Sequence, residues 1–246
     1  WGDVARRIAH EIKNPLTPIQ LSAERLRRKY AKLAGDDQEN FEQYADVIIR
    51  QAGDIRRMVD EFSKFARMPQ PDTTQADLAQ LVRDAVLLQK AARPDVTFQV
   101  SGIDDAVPVL CDSGMISQAL TNLLKNASEA IDTYRENCPE IPLKAAVIVG
   151  VSCTSGKAVV TIDDNGVGLP KADRARLTEP YVTTRRKGTG LGLAIVKKIA
   201  EQHGGSLVLT DAPLTNQNGE TLREHGARAA LTLPVTSQPS LKVKSV

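Results

Sequence analysis

The sequence predicts two parts of different fold class: an α-helical hairpin that forms a dimeric four-helix bundle and, after it, an α/β two-layer sandwich. Apolar residues that recur every three or four positions up to residue 65 predict the hairpin. Strand-like apolar runs that alternate with helical patterns in the rest of the chain predict the sandwich, because such runs suit a sheet buried under helices.

The hairpin prediction depends on two apolar stripes separated by a turn. The first stripe consists of Val4, Ile8, Ile12, Ile19, Ala23, Leu26, Tyr30 and Leu33. The second consists of Phe41, Tyr44 or Ala45, Ile48, Ala52, Ile55, Met58 or Val59, Phe62 and Phe65. Between them, Gly35-Asp36-Asp37 offers a helix-ending glycine and N-cap carboxylates. Two helices alone have too little interior to bury both stripes, so we expect two hairpins to pack together as a homodimer.

The expected domain boundaries follow from composition. Residues 1–68 form the helical dimerisation domain, 69–75 a polar linker punctuated by prolines, 76–236 the α/β domain and 237–246 a tail. Within the α/β domain, we predict helices at about 76–92, 114–134 and 191–203. The predicted strands are at about 96–101, 106–110, 145–153, 157–163, 206–211 and 227–233.

Composition excludes some functions. A formal net charge of +2 and 4% aromatic residues argue against nucleic-acid binding. Three cysteines at spacings that fit neither a disulfide framework nor a zinc site indicate free thiols in a reducing cytosol. No apolar run approaches the roughly 18 residues that a membrane span needs. Because the sequence opens at Trp1 inside a helical pattern, we expect a fragment that contacts a membrane only through segments absent from it.

His10 is the first candidate for chemistry. At about 100° per residue it lies roughly 200° around its helix from both Ile8 and Ile12, so a seam that buries the isoleucines turns His10 outward. Glu11 can accept a hydrogen bond from one ring nitrogen and leave the other unprotonated for attack on phosphorus. The alternative is a solvated surface histidine without a chemical role.

The residues one turn from His10 share its outward face. Asn14 lies on this face, and the neighbouring cations, which would stabilise a phosphorylated imidazole, are Arg6, Arg7 and Lys13. Pro15 and Pro18 each leave a carbonyl without a helical donor, which predicts a bend beside His10.

Two glycine-rich segments indicate a nucleotide site. Asp163-Asp164-Asn165-Gly166-Val167-Gly168 follows a predicted strand, and one of its carboxylates is suited to recognise an exocyclic amine. Gly188-Thr189-Gly190-Leu191-Gly192 opens a predicted helix, where free N–H groups favour a phosphate chain. The cations just before it are Arg185, Arg186 and Lys187. Either segment alone is equally typical of an ordinary turn.

Asn122 and Asn126 form a third candidate. At positions i and i+4 of a predicted helix they lie on one face, where amide oxygens are suited to bind Mg²⁺. The alternative is two solvated asparagines.

Together these segments resemble the histidine kinase family, whose ATP-binding domain is similar to those of DNA gyrase and Hsp90. His10–Leu16 resembles the phospho-acceptor box, Asn122–Ala127 the N box, Asp164–Gly168 the G1 box, Glu179–Thr184 the F box and Gly188–Leu193 the G2 box. The string from Thr17 to Leu26 is similar in particular to the nitrogen-regulation branch of that family.

The resemblance implies a role for each matching residue. Asp164 would contact the adenine amine, Asn126 would coordinate Mg²⁺ and Asn122 would support it. Residues 170–189 would form a lid over the nucleotide. The other nucleotide-binding residues would be Gly166, Gly168, Thr184, Arg185, Lys187, Gly188, Thr189, Gly190, Leu191 and Gly192.

Two positions depart from the family pattern. Glu129 stands where many relatives carry a cation near the phosphates, so cationic help would come from Arg185 or Lys187. Tyr181 replaces the usual F-box phenylalanine and is expected to keep the apolar anchor of the lid.

The resemblance also implies a function: ATP-dependent phosphorylation of His10, followed by transfer to an aspartate of a response regulator receiver domain. Glu11 and Asn14 match the acidic residue and amide that mark phosphatase competence in the family. The protein would be the cytoplasmic portion of a bacterial sensor anchored in the inner membrane. Two alternatives remain, an ATPase or serine kinase without phosphohistidine and a dimeric scaffold with a degenerate nucleotide site.

Overall fold

The computed structural model describes residues 2–30, 35–183, 188–213 and 226–235, without the side chains of residues 2–7, 36 and 64. The chain divides into two compact units. The first contains Trp1–Pro69 together with Lys187–Leu191, and the second contains Gln70–Arg186 together with Gly192–Val246. Among the described residues, no helix is long and apolar enough to cross a membrane.

The first unit contains an antiparallel helical hairpin, α1 (Gly2–Tyr30) and α2 (Gln38–Ala66), joined through a 3-10 turn at Gly35–Asp37. Two ion pairs connect the helices, Lys13 with Asp60 and Arg27 with Asp46. The cations are 27 − 13 = 14 residues apart and the carboxylates 60 − 46 = 14 apart, in opposite order. Equal and opposite offsets show that the helices run antiparallel in a regular register.

The hairpin buries apolar side chains, mostly small ones, at heptad spacing. Among the side chains that the structure describes, the buried apolar residues of α1 and α2 are Ala9, Leu16, Ala23, Ala45, Ala52 and Val59, each seven residues from the next on its helix. Larger apolar residues of the predicted stripes remain exposed in the single chain: Ile8, Ile12, Ile19, Leu26, Tyr44, Ile48, Ile55 and Met58. On α1 the hairpin thus buries Ala9 and Leu16, which the predicted stripe did not include, together with Ala23, which it did.

The second unit contains three helices and seven strands among its described residues. The helices are α3 (Leu78–Ala92), α4 (Ser113–Asn137) and α5 (Gly192–Gln202). The strands are β1 (Thr74–Asp77), β2 (Thr97–Ser101), β3 (Pro108–Cys111), β4 (Ala146–Thr154), β5 (Lys157–Asp164), β6 (Ser206–Asp211) and β7 (Ala227–Pro234).

The main sheet has the order β2-β4-β5-β7-β6, with β2 parallel to β4 and the other neighbours antiparallel. Its buried face alternates along the strands, with Val147, Val149 and Val151 on β4 and Ala158, Val160 and Ile162 on β5. The central helix α4 buries Ile116, Leu120, Leu123 and Leu124. Together these side chains form the core of a two-layer α/β sandwich.

Aspartates begin two of the helices. The Asp77 carboxylate accepts hydrogen bonds from Ala79 N (3.0 Å) and Val107 N (2.8 Å) at the start of α3. The Asp112 carboxylate accepts hydrogen bonds from Met115 N (3.0 Å) and Asp72 N (3.1 Å) at the start of α4. These bonds, the one from Met115 N above all, lower the pKa of Asp112. Each side chain satisfies a backbone donor that the helix leaves unpaired.

The strand expected near 106–110 is observed as β3, which pairs with β1 outside the main sheet. Two predictions about local structure need correction. The helix expected from residue 76 begins at Leu78, because residues 74–77 form β1, which includes the last positions of the expected linker. Asp37 precedes α2 as expected, but its carboxylate accepts a hydrogen bond from the Asn40 side chain (3.0 Å) and makes no capping bond to the backbone.

Candidate functional site

His10 lies on the surface of α1 with its side chain exposed, as the helical arithmetic predicts. Glu11 and Asn14 are exposed as well, so all three predicted catalytic residues are accessible from solvent in the single chain. Ile8 and Ile12, which were expected to be buried opposite His10, are 43% and 38% exposed. Their burial therefore needs a surface that this chain alone does not supply.

The cations near His10 are not all available to a phosphoryl group. Lys13, expected to help, is partly buried and paired with Asp60 of α2. This pairing neutralises much of its charge. The side chains of Arg6 and Arg7 lie outside the described residues.

In the second unit, the two aspartates at the end of β5 lie on opposite faces of the sheet. Asp164 continues the buried series 158, 160 and 162, whereas Asp163 belongs to the other series. Both carboxylates are buried, at 5% exposure. Asp163 makes a bidentate ion pair with Arg228 of β7, with Nε–Oδ1 and Nη2–Oδ2 both 2.7 Å. This hydrogen-bonded pairing raises the pKa of Arg228.

Asp164 is held by backbone donors instead. Its Oδ1 accepts hydrogen bonds from Gly166 N (2.8 Å) and Ala227 N (3.4 Å). The next residue, Asn165, accepts from Ala146 N (3.0 Å) and donates to Lys144 O (2.8 Å), so it anchors the turn. Strand alternation therefore makes Asp164 the carboxylate on the helix side of the sheet.

The turn after Asp164 lies directly against α4. A Cβ added to Gly166 would lie 2.4 Å from Ala130 C and 2.6 Å from both Ala130 O and Ile131 N. Val167 N donates to Ala130 O at 3.1 Å. No side chain larger than hydrogen fits at Gly166, because backbone faces backbone there.

The second glycine segment meets α4 one turn away. A Cβ added to Gly192 would lie 3.8 Å from both amide atoms of Asn126. Since Asn126 and Ala130 are four residues apart, the N-box amide, the G1 turn and the start of α5 meet along about one turn of α4. Three segments that are more than 20 residues apart in sequence thus converge in the second unit.

The other α4 amide, Asn122, lies one turn before Asn126 and is only partly exposed. Its Nδ2 is buried and has no hydrogen-bond partner among the described residues. Glu129, the departure from the family pattern, lies 3.7 Å from Lys125 as an ion pair along the helix.

Two glycines provide backbone conformations that side chains disfavour. Gly168 has a φ of +77° and Gly190 a φ of +70°. Between Gly190 and Gly192, Leu191 is fully buried, and its N–H donates to Thr189 Oγ1 at 3.4 Å. Gly188 is partly exposed.

The segment expected to form a lid contains a 3-10 helix at Arg174–Thr178. The Arg174 guanidinium donates to both carboxylate oxygens of Asp211 (2.8 and 2.9 Å) and to Pro170 O (2.9 Å). Tyr181, expected to be the apolar anchor, is 51% exposed at a positive φ of 66°. The buried residue of this segment is Leu177, at 9% exposure. Thr184, Arg185 and Lys187 lie outside the described residues.

Sequence reasoning missed two residues that shape this site. Arg228 and Asn165 hold the ends of the G1 turn. Only the position of Asn165 inside the glycine-rich turn gave any signal. The partner of Arg228, Asp163, is 65 residues away in sequence, and no local pattern reveals it.

Two family models match the chain. Residues 1–71 match the His Kinase A (phospho-acceptor) domain. Residues 111–237, more than half of the chain, match the histidine kinase-, DNA gyrase B- and HSP90-like ATPase family. The chain belongs to the sensor histidine kinase family. The family and the fold class predicted from the sequence are thereby confirmed.

Comparison with individual proteins supports the same family. The nitrogen regulation protein NtrY of Azorhizobium caulinodans is 54% identical over 213 residues, which is 87% of this chain and 27% of that protein. A putative NtrY-like sensor histidine kinase of Rickettsia bellii is 41% identical over 207 residues, 84% of this chain and 32% of that protein. The chain thus spans about a quarter to a third of these relatives' length.

A solved structure shows the same fold over most of the kinase core. It is the crystal structure of full-length ShkA, with a TM-score of 0.64 and 21% identity, and the match covers 96% of this chain and 46% of that one.

Proposed function

We propose that this chain is the catalytic core of a two-component sensor kinase that phosphorylates its own His10 from Mg-ATP and passes the phosphoryl group to an aspartate of a response regulator. The carrying observation is the convergence of Asp164, Gly166, Asn126 and Gly192 around one turn of α4. The 54% identity to a nitrogen regulation protein supports a role in nitrogen signalling.

In this proposal the second unit binds ATP. Asp164 recognises the adenine amine, because a buried carboxylate fixed by backbone donors is a preorganised acceptor. The absence of a side chain at Gly166 lets the turn that follows Asp164 lie directly against α4, which fixes the Gly166 N–H beside the Asp164 carboxylate. The G2 backbone at the start of α5 and the cations Arg185 and Lys187 serve the phosphates.

The residues present suit a magnesium ion that is shared with the nucleotide. In the described part of the chain, no group of three His, Cys, Asp or Glu side chains is placed to hold a metal ion. Mg²⁺ commonly keeps several waters and takes only one or two protein ligands beside substrate phosphates. Asn126 would supply an amide oxygen, with Asn122 beside it, and the ion would neutralise phosphate charge.

His10 is the proposed phosphoryl acceptor. The lone pair of Nε2 forms the bond to the γ-phosphorus while the bond from phosphorus to the β–γ bridging oxygen breaks, and ADP leaves with that electron pair. Glu11 accepts the hydrogen bond from Nδ1 and keeps Nε2 unprotonated. Positioning and charge neutralisation supply most of the rate, as is usual for phosphoryl transfer.

The exposed apolar face of the hairpin supports a homodimer. Each chain leaves large apolar side chains of α1 and α2 in solvent at helical spacing, among them Ile12, Ile19, Ile48 and Ile55. Removing such apolar surface from water contributes about 25 cal/mol of stabilising free energy for each Å² buried. This favours a second copy of the chain, packed as a four-helix bundle. A solution mass of twice 26.7 kDa is the expected result.

We further propose that the response regulator receives its phosphoryl group from His10 through its receiver domain, and that Asn14 serves the reverse hydrolysis. Family membership also supports placing this core in the cytoplasmic portion of a bacterial sensor anchored in the inner membrane.

One experiment tests the central proposal. Incubation with γ-labelled ATP should produce label that is stable to base and labile to acid, and mapping should assign it to His10. His10→Gln should abolish the label and leave ATP affinity nearly unchanged, because the nucleotide residues lie on other elements. Acid-stable label would favour the serine kinase alternative, and absence of Mg-ATP binding would favour the scaffold. Label that persists in His10→Gln would contradict the assignment.

A further inference from the structure

The ion pair between Asp163 and Arg228 lies directly behind the proposed adenine site. Asp163 and Arg228 are cross-strand partners, and theirs is the last pair of the β5–β7 ladder before β5 ends at Asp164. The pair is bidentate at 2.7 Å, and the Asp163 side chain is 7% exposed. An arginine fork of this kind fixes direction as well as distance, because two parallel bonds resist rotation.

Three consecutive residues at the start of β7 hold the two aspartates. Arg228 pairs with the Asp163 carboxylate, and Ala227 N donates to Asp164 Oδ1 at 3.4 Å. A Cβ added to Gly226 would lie 1.9 Å from Asp164 O, so the backbones are in direct contact. The Ala227 bond is long, and its geometry depends on β7 staying in place beside β5.

We propose that Arg228 is a positioning residue for nucleotide recognition: through Asp163 it fixes the end of β5, and so the direction in which Asp164 presents its carboxylate to adenine. Arg228 reaches Asp163 on the far face of the sheet, whereas Asp164 lies on the helix side. This inference rests on the proposed ATP site and assigns a residue that none of the nucleotide-binding boxes includes.

The pair also has a purely structural interpretation, which makes a different prediction. If it only stabilised the sheet, its loss would reduce the folded fraction and weaken every nucleotide equally. If it orients Asp164, its loss should weaken only the contact with the exocyclic amine. ATP and ITP separate these cases, since ITP carries a carbonyl in place of the adenine amine and has the same ribose and phosphates.

The experiment is a calorimetric titration of wild type and variants with Mg-ATP and Mg-ITP. Arg228→Met should weaken ATP binding about tenfold and change ITP binding less than about twofold, since one misdirected hydrogen bond to a charged group costs about a factor of ten in affinity. Arg228→Lys keeps the positive charge but cannot make the two parallel hydrogen bonds of arginine. Compared with Arg228→Met, it should therefore recover only part of the preference for ATP over ITP.

Arg228→Met leaves Asp163 buried without a partner and risks unfolding. A double variant, Asp163→Val with Arg228→Thr, therefore keeps the test falsifiable. It copies the cross-strand pair of Val159 with Thr232, four residues away on the same face of the sheet, and removes one charge of each sign. It should fold with a Tm near that of wild type and still show the reduced ATP preference.

Arg93→Met is the matched control. Arg93 makes bidentate bonds to Asp132 (2.9 and 2.7 Å) in the same unit, so its loss should lower the Tm without changing the ratio of ATP to ITP affinity. The inference would be overturned if the double variant kept the wild-type preference for ATP over ITP. It would also be overturned if every Arg228 variant lost the same amount of affinity for both nucleotides. A wild-type protein without a preference for ATP over ITP would instead refute the adenine role of Asp164, on which the inference depends.

Discussion

Gly166→Ala offers a direct test of how the G1 turn is seated. The added methyl carbon would lie 2.4 Å from Ala130 C and 2.6 Å from Ile131 N of α4. Ordinary carbon contacts lie at about 3.5 to 4.0 Å, so the turn and the helix must separate by about 1 Å. Neither side can rotate away, because both surfaces are backbone.

The magnitude follows from this geometry. Overpacking of a well-packed site typically costs about 1 to 3 kcal/mol in the free energy of unfolding. Gly166 also supplies the N–H at 2.8 Å from Asp164 Oδ1, so its displacement should turn the carboxylate. We expect ATP affinity to fall by about tenfold or more, since about 1.4 kcal/mol corresponds to a factor of ten.

The assay combines thermal unfolding with calorimetric ATP titration, and Gly156→Ala is the control. Gly156 has a φ of +74°, but the space around it is open and it lies in the turn between β4 and β5. It should lose stability from backbone strain alone and keep its ATP affinity. If Gly166→Ala binds ATP within twofold of wild type and unfolds at the same temperature, the G1 turn does not lie against α4 as described.

Three further predictions concern single side chains. Asp164→Asn should weaken ATP binding about tenfold or more in the same titration, because an amide presents the wrong partner to an exocyclic amine. Asn14→Ala should keep autophosphorylation within a few-fold of wild type and largely remove dephosphorylation of the regulator, while Asn14→Thr retains some of it; an amide orients water but is no strong base. Asp112→Ala should reduce the free energy of unfolding by about 1 to 2 kcal/mol, because Met115 N and Asp72 N lose their acceptor.

Each of these has its own decisive outcome. Wild-type ATP affinity in Asp164→Asn would rule out its adenine role. Equal lifetimes of the phosphorylated regulator with Asn14→Ala and wild type, at unchanged circular dichroism and dimer mass, would exclude a phosphatase role. For Asp112 the pKa is lowered in the folded protein, so its stabilisation is present above the ordinary carboxyl pKa and lost as pH falls through the lowered value. The difference between wild type and Asp112→Ala should therefore shrink in acid, and a difference independent of pH would contradict this cause.

Periodicity located the regular elements well where the signal was local. The helices expected at about 114–134 and 191–203 are observed at Ser113–Asn137 and Gly192–Gln202. It missed β1, whose four residues are strand only because β3, more than 30 residues away, pairs with them. A short strand of this kind has no apolar alternation of its own to recognise.

The candidate site shows the same division. The glycines, amides and aspartates that converge on α4 were identified from their residue types and spacing. Residue chemistry alone left open which of Asp163 and Asp164 is suited to a ligand, and the family resemblance named Asp164. Only the folded chain shows that the two carboxylates lie on opposite faces of the sheet and that Arg228 pairs with Asp163. Lys13 looked available beside His10 until α2 placed Asp60 against it.

By itself, the sequence determined the helical hairpin, the α/β sandwich, the outward position of His10 and the set of residues suited to nucleotide chemistry. These depend on periods of 3.6 and 2 residues and on the intrinsic chemistry of each side chain, which are local properties. Only the tertiary structure decided that Gly166 must lack a side chain and that Arg228 holds Asp163. The physical reason is that close packing and ion pairing depend on partners brought together from distant parts of the chain.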